Sequence, residues 1–275
     1  MRLKPTEDRK TKFRNGQANT FGLLPGNSGL GTCPCATTGP GGCLHVAAHR
    51  KTPACYVYNT MRCYRGVEPV LAHNTQLLRD GSLAAKYRLL TAEFERFRGA
   101  ELHQKTPQLF YRLHWSGDVF DHNYAIALSE SMTAFPDVKF WAYTRVFSHA
   151  AWLVNHTPNL ILYLSLDPVN FYPGIQTFVE WSTNSNPQGD MRLCYMSPKN
   201  DFAQRYERGY YASLVAAALD VQSVTGTPVT PWPAPERAPV LHPCPVDAGK
   251  LPLEGGCAKC RQCTGKKPAH IWFET

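Results

Sequence analysis

The stretch QLFYRLHWSGDVFDHNYAIALSESMTAFPDVKFWAYTRV, residues 108–146, contains two apolar runs separated by a helical pattern. The first run, residues 108–116, and the second, residues 138–146, each predict a buried strand. Between them, residues 121–135 predict a helix that Asp121 caps and that Pro136 ends. Because a crossover helix joins the two strands, we expect them to run parallel in one sheet.

The same alternation of strands and helices continues on both sides of this stretch. Apolar residues at helical spacing from Leu83 to Phe97 predict a preceding helix, which should end before Gly99. Further along, the pattern predicts a helix over residues 148–155 begun by Ser148, strands over 159–167 and 191–197, and a helix from Phe202 to Val221. We therefore expect an α/β protein with a mainly parallel sheet, shaped as a partial (β/α) barrel or an open sheet.

Composition divides the chain into three parts. Residues 1–70 are rich in cysteine, glycine and proline with little periodicity, and we expect this segment to pack on the core. Residues 71–225 form the α/β core. Residues 226–275 read as a proline-rich linker followed by a cysteine-rich, metal-binding tail.

The N-terminal sequence, the cysteine content and the charge together indicate a compartment and a class of partner. The first twenty residues are charged and polar, so no signal peptide is expected, and no window is apolar enough to cross a membrane. We expect a soluble cytoplasmic protein, in which ten cysteines stay reduced and point to a metal rather than to disulfides. The net charge of +8 favours an anionic partner such as nucleic acid or a nucleotide-like substrate.

The tail carries the most regular cysteine spacing in the chain. Cys257, Cys260 and Cys263 follow a C-x2-C-x2-C pattern, and the more distant Cys244 is followed by proline. Bacterial ferredoxins combine such a run with a remote Cys-Pro pair to bind a [4Fe-4S] cluster. Zinc is the alternative, although four-cysteine zinc sites usually combine two C-x2-C pairs. The sequence therefore predicts a metal site in the tail, with iron–sulfur favoured over zinc.

Polar residues follow two neighbouring strands of the predicted sheet. Ser116, Gly117 and Asp118 come where the first strand ends, and Thr144 and Arg145 end the second. Because carboxyl ends of parallel strands meet at one edge, these five residues should lie together and form a cofactor-binding site.

Three blocks of sequence resemble a known family. They are TCPCATTGPGGC with ACYVY, then HWSGDVFDHNYAIALSESMTAFPDVKFWAYTR, and finally the terminal cysteine run. Together they resemble the phage proteins grouped as gene product 88 and, more distantly, the radical S-adenosylmethionine (SAM) proteins. In the radical SAM superfamily three cysteines hold a [4Fe-4S] cluster whose open iron binds SAM at the mouth of a partial (β/α) barrel.

This resemblance implies specific roles and a function. It implies that Cys33, Cys43 and Cys55 hold a cluster and that SAM binds beside residues 116–118. It further implies a phage iron–sulfur protein in the host cytoplasm, acting as a SAM-dependent redox or modification enzyme. The residues leave one alternative open, a nucleic-acid-binding protein stabilised by zinc or iron–sulfur and without catalysis.

Overall fold

The computed structural model describes residues 1–5, 18–46, 53–183, 188–197, 212–213, 222, 226, 240–244 and 270–274. Over these residues the helices are α1 (Tyr56–Cys63), α2 (Val67–Asp80), α3 (Leu83–Leu102), α4 (His122–Thr133), α5 (Phe147–His156) and α6 (Phe171–Ser182). The strands are β1 (Phe110–Arg112), β2 (Lys139–Thr144), β3 (Leu160–Leu166), β4 (Asp190–Ser197), β5 (Ala212–Ser213), β6 (Val240–Pro243) and β7 (His270–Glu274). Among these helices, none is long and apolar enough to span a bilayer.

The strands form one sheet in the order β1-β2-β3-β4-β7-β6-β5. All neighbouring strands run parallel except β5, which pairs antiparallel with β6. Within the described ranges β1 and β5 lie at the two edges, so the sheet is open and is not closed into a barrel. The expected α/β fold with a mainly parallel sheet is therefore confirmed.

The sheet has two different faces, which β3 shows most clearly. Its even-numbered residues Leu160, Leu162, Leu164 and Leu166 belong to the main core, to which helices α3 to α6 also contribute. Ile161 and Tyr163 point the other way and belong to a smaller cluster on the opposite face. Each fully buried leucine contributes about 1.5–3 kcal/mol, so the helix-covered face carries most of the hydrophobic stabilisation.

The N-terminal segment extends the sheet beyond β1. The backbone N–H of Arg112 donates to Asn19 O at 2.9 Å, and the N–H of Leu23 donates to Ser116 O at 2.8 Å. Thr20 forms a parallel bridge with Arg112. Phe21 and Leu23 are fully buried in the main core, so this segment packs on the α/β core.

Several predicted elements agree with the structure, with differences at their ends. The Asp121 carboxylate accepts a hydrogen bond from Tyr124 N at 2.6 Å, which confirms it as the N-cap of α4. Helix α3 continues past Gly99 to Leu102, so its predicted end was wrong. The cost of a glycine within a helix, about 1 kcal/mol, is offset by burial of apolar residues such as Phe94 and Phe97 on the same helix.

Two other boundaries differ from the sequence prediction. Strand β1 spans three residues instead of nine, because the backbone turns at His114 (φ 53°) and Gly117 (φ 87°). Helix α5 begins at Phe147 with Val146 as its N-cap, so Ser148 does not begin it. Helix α1 was also missed, and Val57 is its one buried residue.

The C-terminal part of the chain supplies strands that the sequence did not predict. Ala212 and Ser213 form strand β5 inside the predicted helix from Phe202 to Val221, so that prediction is wrong there; residues 202–211 and 214–221 lie outside the described residues. Strand β6 falls in the predicted linker, and β7 lies between β4 and β6. The short runs VLHP and HIWFE carried too few apolar residues to be recognised as strands.

Candidate functional site

Asp118 joins the ends of β1 and β2. Its buried carboxylate accepts hydrogen bonds from Thr144 Oγ1 at 2.6 Å, from Arg145 N at 2.8 Å and from Val119 N at 2.7 Å. Burial raises the pKa of Asp118, and these hydrogen bonds offset only part of that rise. The expectation that Asp118 and Arg145 lie at the same edge of the sheet is therefore confirmed.

Ser116 and Gly117 fasten the N-terminal segment to this edge. The Ser116 hydroxyl donates to Leu23 O at 2.7 Å and is buried. A Cβ on Gly117 would lie 2.5 Å from both Leu23 Cβ and Thr32 Oγ1, and its φ of 87° favours glycine. The predicted five residues thus lie together, and Ser116, Asp118 and Thr144 use their side chains within the protein; a cofactor-binding role for the five stays a prediction.

A buried ion pair lies at the same edge, beyond β2 and β3. The Arg145 guanidinium donates to Asp167, and the pair is almost completely removed from solvent. Asp167 also accepts from Thr37 Oγ1 at 2.7 Å, and from the backbone N–H groups of Val169 at 2.9 Å and Asn170 at 3.1 Å. Burial alone would lower the pKa of Arg145. The neighbouring Asp167 and Cys43 favour the charged guanidinium more strongly, so the pKa of Arg145 is raised.

Three cysteines of the N-terminal segment converge on this pair. Cys43 N donates to Thr37 Oγ1 at 3.2 Å, and Cys55 N donates to Cys43 O at 2.8 Å. Burial raises the pKa of the Cys33 thiol, and the neighbouring Asp118, Cys55 and Cys43 raise it further. These interactions place Cys33, Cys43 and Cys55 near one another although nine and eleven residues separate them along the chain.

The positions of these thiols do not suit a single metal ion. A single zinc ion with Zn–S distances of about 2.3 Å draws its sulfur ligands to within about 4 Å of each other. In the part of the chain that the structure describes, no three cysteine, histidine or carboxylate side chains are arranged to hold one metal ion. Cys35 and Cys63 are exposed, whereas Cys33, Cys43 and Cys55 are half-buried.

The predicted tail site is described only at one residue. Cys257, Cys260 and Cys263 lie outside the described residues. Cys244 is buried, and it belongs to the cluster on the face opposite the helices, together with Cys194 of β4. Cys194 was not singled out from the sequence, because it stands alone inside an apolar strand.

His114 was also missed, although its position is unusual. It is buried, its backbone has a φ of 53°, and its Nε2 lies 2.6 Å from Tyr124 Oη. Burial, with a smaller effect of Arg112, lowers the pKa of His114 to about 3. Asp167 could have been found from the sequence, because it is the polar last residue of the third predicted strand, just as Asp118 comes at the end of the first.

Comparison with known proteins gives the family of this chain. A family model described as Gene product 88 matches residues 2–265. The chain belongs to the gene product 88 family. It is 38% identical to the Gene 88 protein of Mycobacterium phage L5 over 180 residues, which covers 62% of this chain and 70% of that protein. The Gene 88 protein of Mycobacterium phage D29 is 38% identical over 179 residues, covering 61% of this chain and 69% of that protein.

The family match supports the expected phage protein. No solved structure matches the chain. The more distant resemblance to radical SAM proteins receives no support from these matches.

Proposed function

We propose that Cys33, Cys43 and Cys55 bind a [4Fe-4S] cluster and that this gene product 88 protein is a SAM-dependent redox or modification enzyme. One observation carries the proposal: three cysteines from a loop with irregular spacing come together at the carboxyl edge of a parallel sheet. Ligands of open α/β sheets bind in the crevice outside this edge. A structural loop alone gives no reason for three thiols to meet there.

A cluster suits these residues better than a single ion does. The three thiols are near enough to influence one another, but they are not arranged around one metal position in the described ranges. A cluster presents several iron atoms, so its thiolate ligands stand farther apart than ligands of one zinc ion. Three protein thiolates also leave one iron of a [4Fe-4S] cluster without a protein ligand. A cluster held there, once reduced by an external one-electron donor, would supply one electron for cleavage of SAM.

The surrounding side chains would position and balance this group. Arg145 is a buried cation next to Cys43, and it would compensate part of the negative charge that thiolate ligands bring. Asp167 and Thr37 hold Arg145 and the Cys43 loop in place through their hydrogen bonds. Asp118 fixes the backbone between β1 and β2, so its role in this proposal is positioning.

The tail is proposed as a second metal site. Cys244, Cys257, Cys260 and Cys263 would bind a second cluster or, as the alternative, zinc. The observation in support is that Cys244 is buried against the sheet, on the face opposite the helices.

The experiment compares anaerobically purified variants. We expect wild type to be brown with an absorption band at about 400 nm, as thiolate-ligated iron–sulfur centres show. The variant C33S/C43S/C55S should lose a large part of this band, whereas the matched control C35S/C63S should keep it, because those thiols are exposed. After reduction, wild type should convert SAM to 5′-deoxyadenosine and the triple variant should not. A colourless wild-type protein that contains only zinc would contradict the proposal.

The net charge of +8 favours a second candidate, a metal-stabilised nucleic-acid-binding protein without catalysis. In that case the protein should bind DNA with an affinity that falls steeply with salt, because counterions are released from phosphates. Zinc in place of iron, together with such binding, would support this candidate.

A further inference from the structure

Two histidines face each other at the beginnings of helices α4 and α5. His122 is the first residue of α4 and is exposed, and His149 lies in the first turn of α5 and is half-buried. Their ring centroids are 5.8 Å apart, with an interplanar angle of 39°. We call these two residues the histidine pair. In the described ranges neither imidazole forms a hydrogen bond or an ion pair, so their nitrogens are available to a ligand.

The separation of the two rings suits a shared metal ion. A metal–nitrogen distance of about 2.0–2.1 Å places an ion about 3.2 Å from a ring centroid, so two rings on one ion have centroids at most about 6.4 Å apart. The observed 5.8 Å lies within this limit. His122 is exposed, so its side chain can rotate to direct a nitrogen at the ion. One ion can therefore bridge the two helices through rotation of side chains alone.

The protonation state of His149 also favours a metal ion. Burial lowers the pKa of His149, and the neighbouring His122 lowers it further, whereas Asp121 acts in the opposite direction. The net pKa is lowered, so the ring of His149 is neutral at pH 7. A metal ion binds the neutral form of imidazole, because only that form offers a nitrogen lone pair.

The surroundings determine how many ligands the protein supplies. The Asp121 carboxylate accepts from Tyr124 N at 2.6 Å and from Lys86 Nζ at 3.3 Å, so it already has two partners. His156 stacks on Trp152 with centroids 4.4 Å apart, and its Nδ1 lies 2.7 Å from Trp152 O. Over the part of the chain that the structure describes, no third histidine, cysteine or carboxylate completes a metal-binding group with the pair. An ion held by two histidines would keep exchangeable water in its other positions.

The position of the pair in the fold is one where ligands bind. Helix α4 follows β1 and helix α5 follows β2, so both helices begin on the side of the sheet where these strands end. Ligands of open α/β sheets bind outside this carboxyl edge. An ion with exchangeable positions at this edge could accept an anionic group, such as a carboxylate or a phosphate.

We propose that His122 and His149 form a binding site for one divalent transition-metal ion, such as Zn²⁺, Ni²⁺ or Cu²⁺. Imidazole suits these ions, whereas Mg²⁺ and Ca²⁺ prefer oxygen ligands. The site uses no cysteine, so it is separate from the proposed clusters and does not rest on the proposed function. The bound ion would connect α4 to α5 and would thereby favour the folded chain.

The test is a calorimetric titration of the full chain with Ni²⁺. Wild type should bind one more Ni²⁺ than His122→Gln and one more than His149→Gln. The same cysteines are present in all the proteins, so any Ni²⁺ that they bind cancels in this comparison. The matched control His156→Gln also removes one histidine from beside Trp152, and it should bind as many Ni²⁺ ions as wild type. Ni²⁺ should raise the Tm of wild type more than that of either pair variant, because the ion bridges two helices.

Each outcome decides the inference. Equal Ni²⁺ stoichiometry in wild type and in either folded pair variant overturns it. A loss of one equivalent from His156→Gln as well also overturns it, since the binding would then not be specific to the pair. Circular dichroism checks that each variant folds, and His149→Asn replaces His149→Gln if that variant does not.

Iron content measured on the same samples separates the two proposals. Iron-containing protein whose pair variants bind Ni²⁺ as wild type does overturns the inference and leaves the proposed function standing. Protein that contains no iron, but loses one Ni²⁺ site in each pair variant, overturns the proposed function alone.

Discussion

The two faces of the sheet show how one strand serves two purposes. Alternate residues of β3 place Leu162 and Leu164 against the helices, and Tyr163 and Ser165 on the opposite face. The first face is uniformly apolar and is fully covered. The second combines aromatic rings with arginines and remains partly accessible at Tyr143 and Ser165. We infer that the helix-covered face contributes most of the hydrophobic stabilisation, and that the opposite face contributes less.

The largest effect on stability is expected at the carboxyl edge of the sheet, between its two faces. Arg145→Met leaves the fully buried Asp167 without its cation, and breaking a buried ion pair in this way costs about 3–5 kcal/mol of unfolding free energy. The double variant R145M/D167N removes both charges and should recover part of that loss. Urea unfolding measures both. Equal stability of the single and double variants would show that the unpaired charge of Asp167 does not cause the loss of stability.

On the helix-covered face, Leu162→Ala should lower the free energy of unfolding by about 2–5 kcal/mol, because it leaves a cavity among fully buried side chains. Metal content per folded chain should not change, since the residue lies away from the cysteines. Denaturant unfolding and metal analysis of the same sample check the two statements. A loss of metal without a loss of stability would contradict the division between the faces.

The pH dependence of stability tests His114. Its pKa is lowered to about 3 by burial, so between pH 6.5 and 3 the unfolded chain binds a proton that the folded chain does not. Unfolding free energy should therefore fall as the pH falls, with His114 contributing about 1.4 kcal/mol per pH unit. His114→Asn does not titrate and tolerates a positive φ, so its stability should fall less steeply with acid. Identical slopes in urea unfolding from pH 6 to 5 would show that His114 is accessible to protons in the folded state.

The smallest effect on stability is expected on the face opposite the helices. Ser165→Ala changes a half-buried residue and should alter the free energy of unfolding by less than about 0.5 kcal/mol. Its contrast with Leu162→Ala, three residues earlier on the same strand, measures the difference between the faces directly. A cost comparable to that of Leu162→Ala would mean that this face is packed as tightly as the other.

The sequence was sufficient for part of the core and insufficient for helices α2 and α6, which were not predicted, and for the edges of the sheet. Strands β2, β3 and β4 and helix α4 were predicted because apolar periodicity is strong there and Asp121 provides an unambiguous cap. Strands β6 and β7 were not predicted, because four or five residues carry little periodicity and their partners are distant in the chain. A strand of this kind forms because neighbouring strands of the sheet provide its hydrogen-bond partners.

The candidate site shows the same limit. Asp118 and Arg145 were predicted to meet because each follows a parallel strand, and local sequence is enough for that argument. The convergence of Cys33, Cys43 and Cys55 was expected only from the family resemblance, since their spacing matches no metal motif. Their proximity depends on Thr37 and Asp167, which are 130 residues apart and whose hydrogen bond no local pattern shows.

The most direct test of the proposed cluster counts iron in a chain that lacks the tail thiols. We would purify C257S/C260S/C263S without oxygen and compare it with the same chain carrying C33S/C43S/C55S in addition. The account predicts about four iron atoms per chain in the first protein, as one [4Fe-4S] cluster requires, and close to none in the second. Equal iron content in the two proteins would contradict the account, because the three converging cysteines would then hold no cluster.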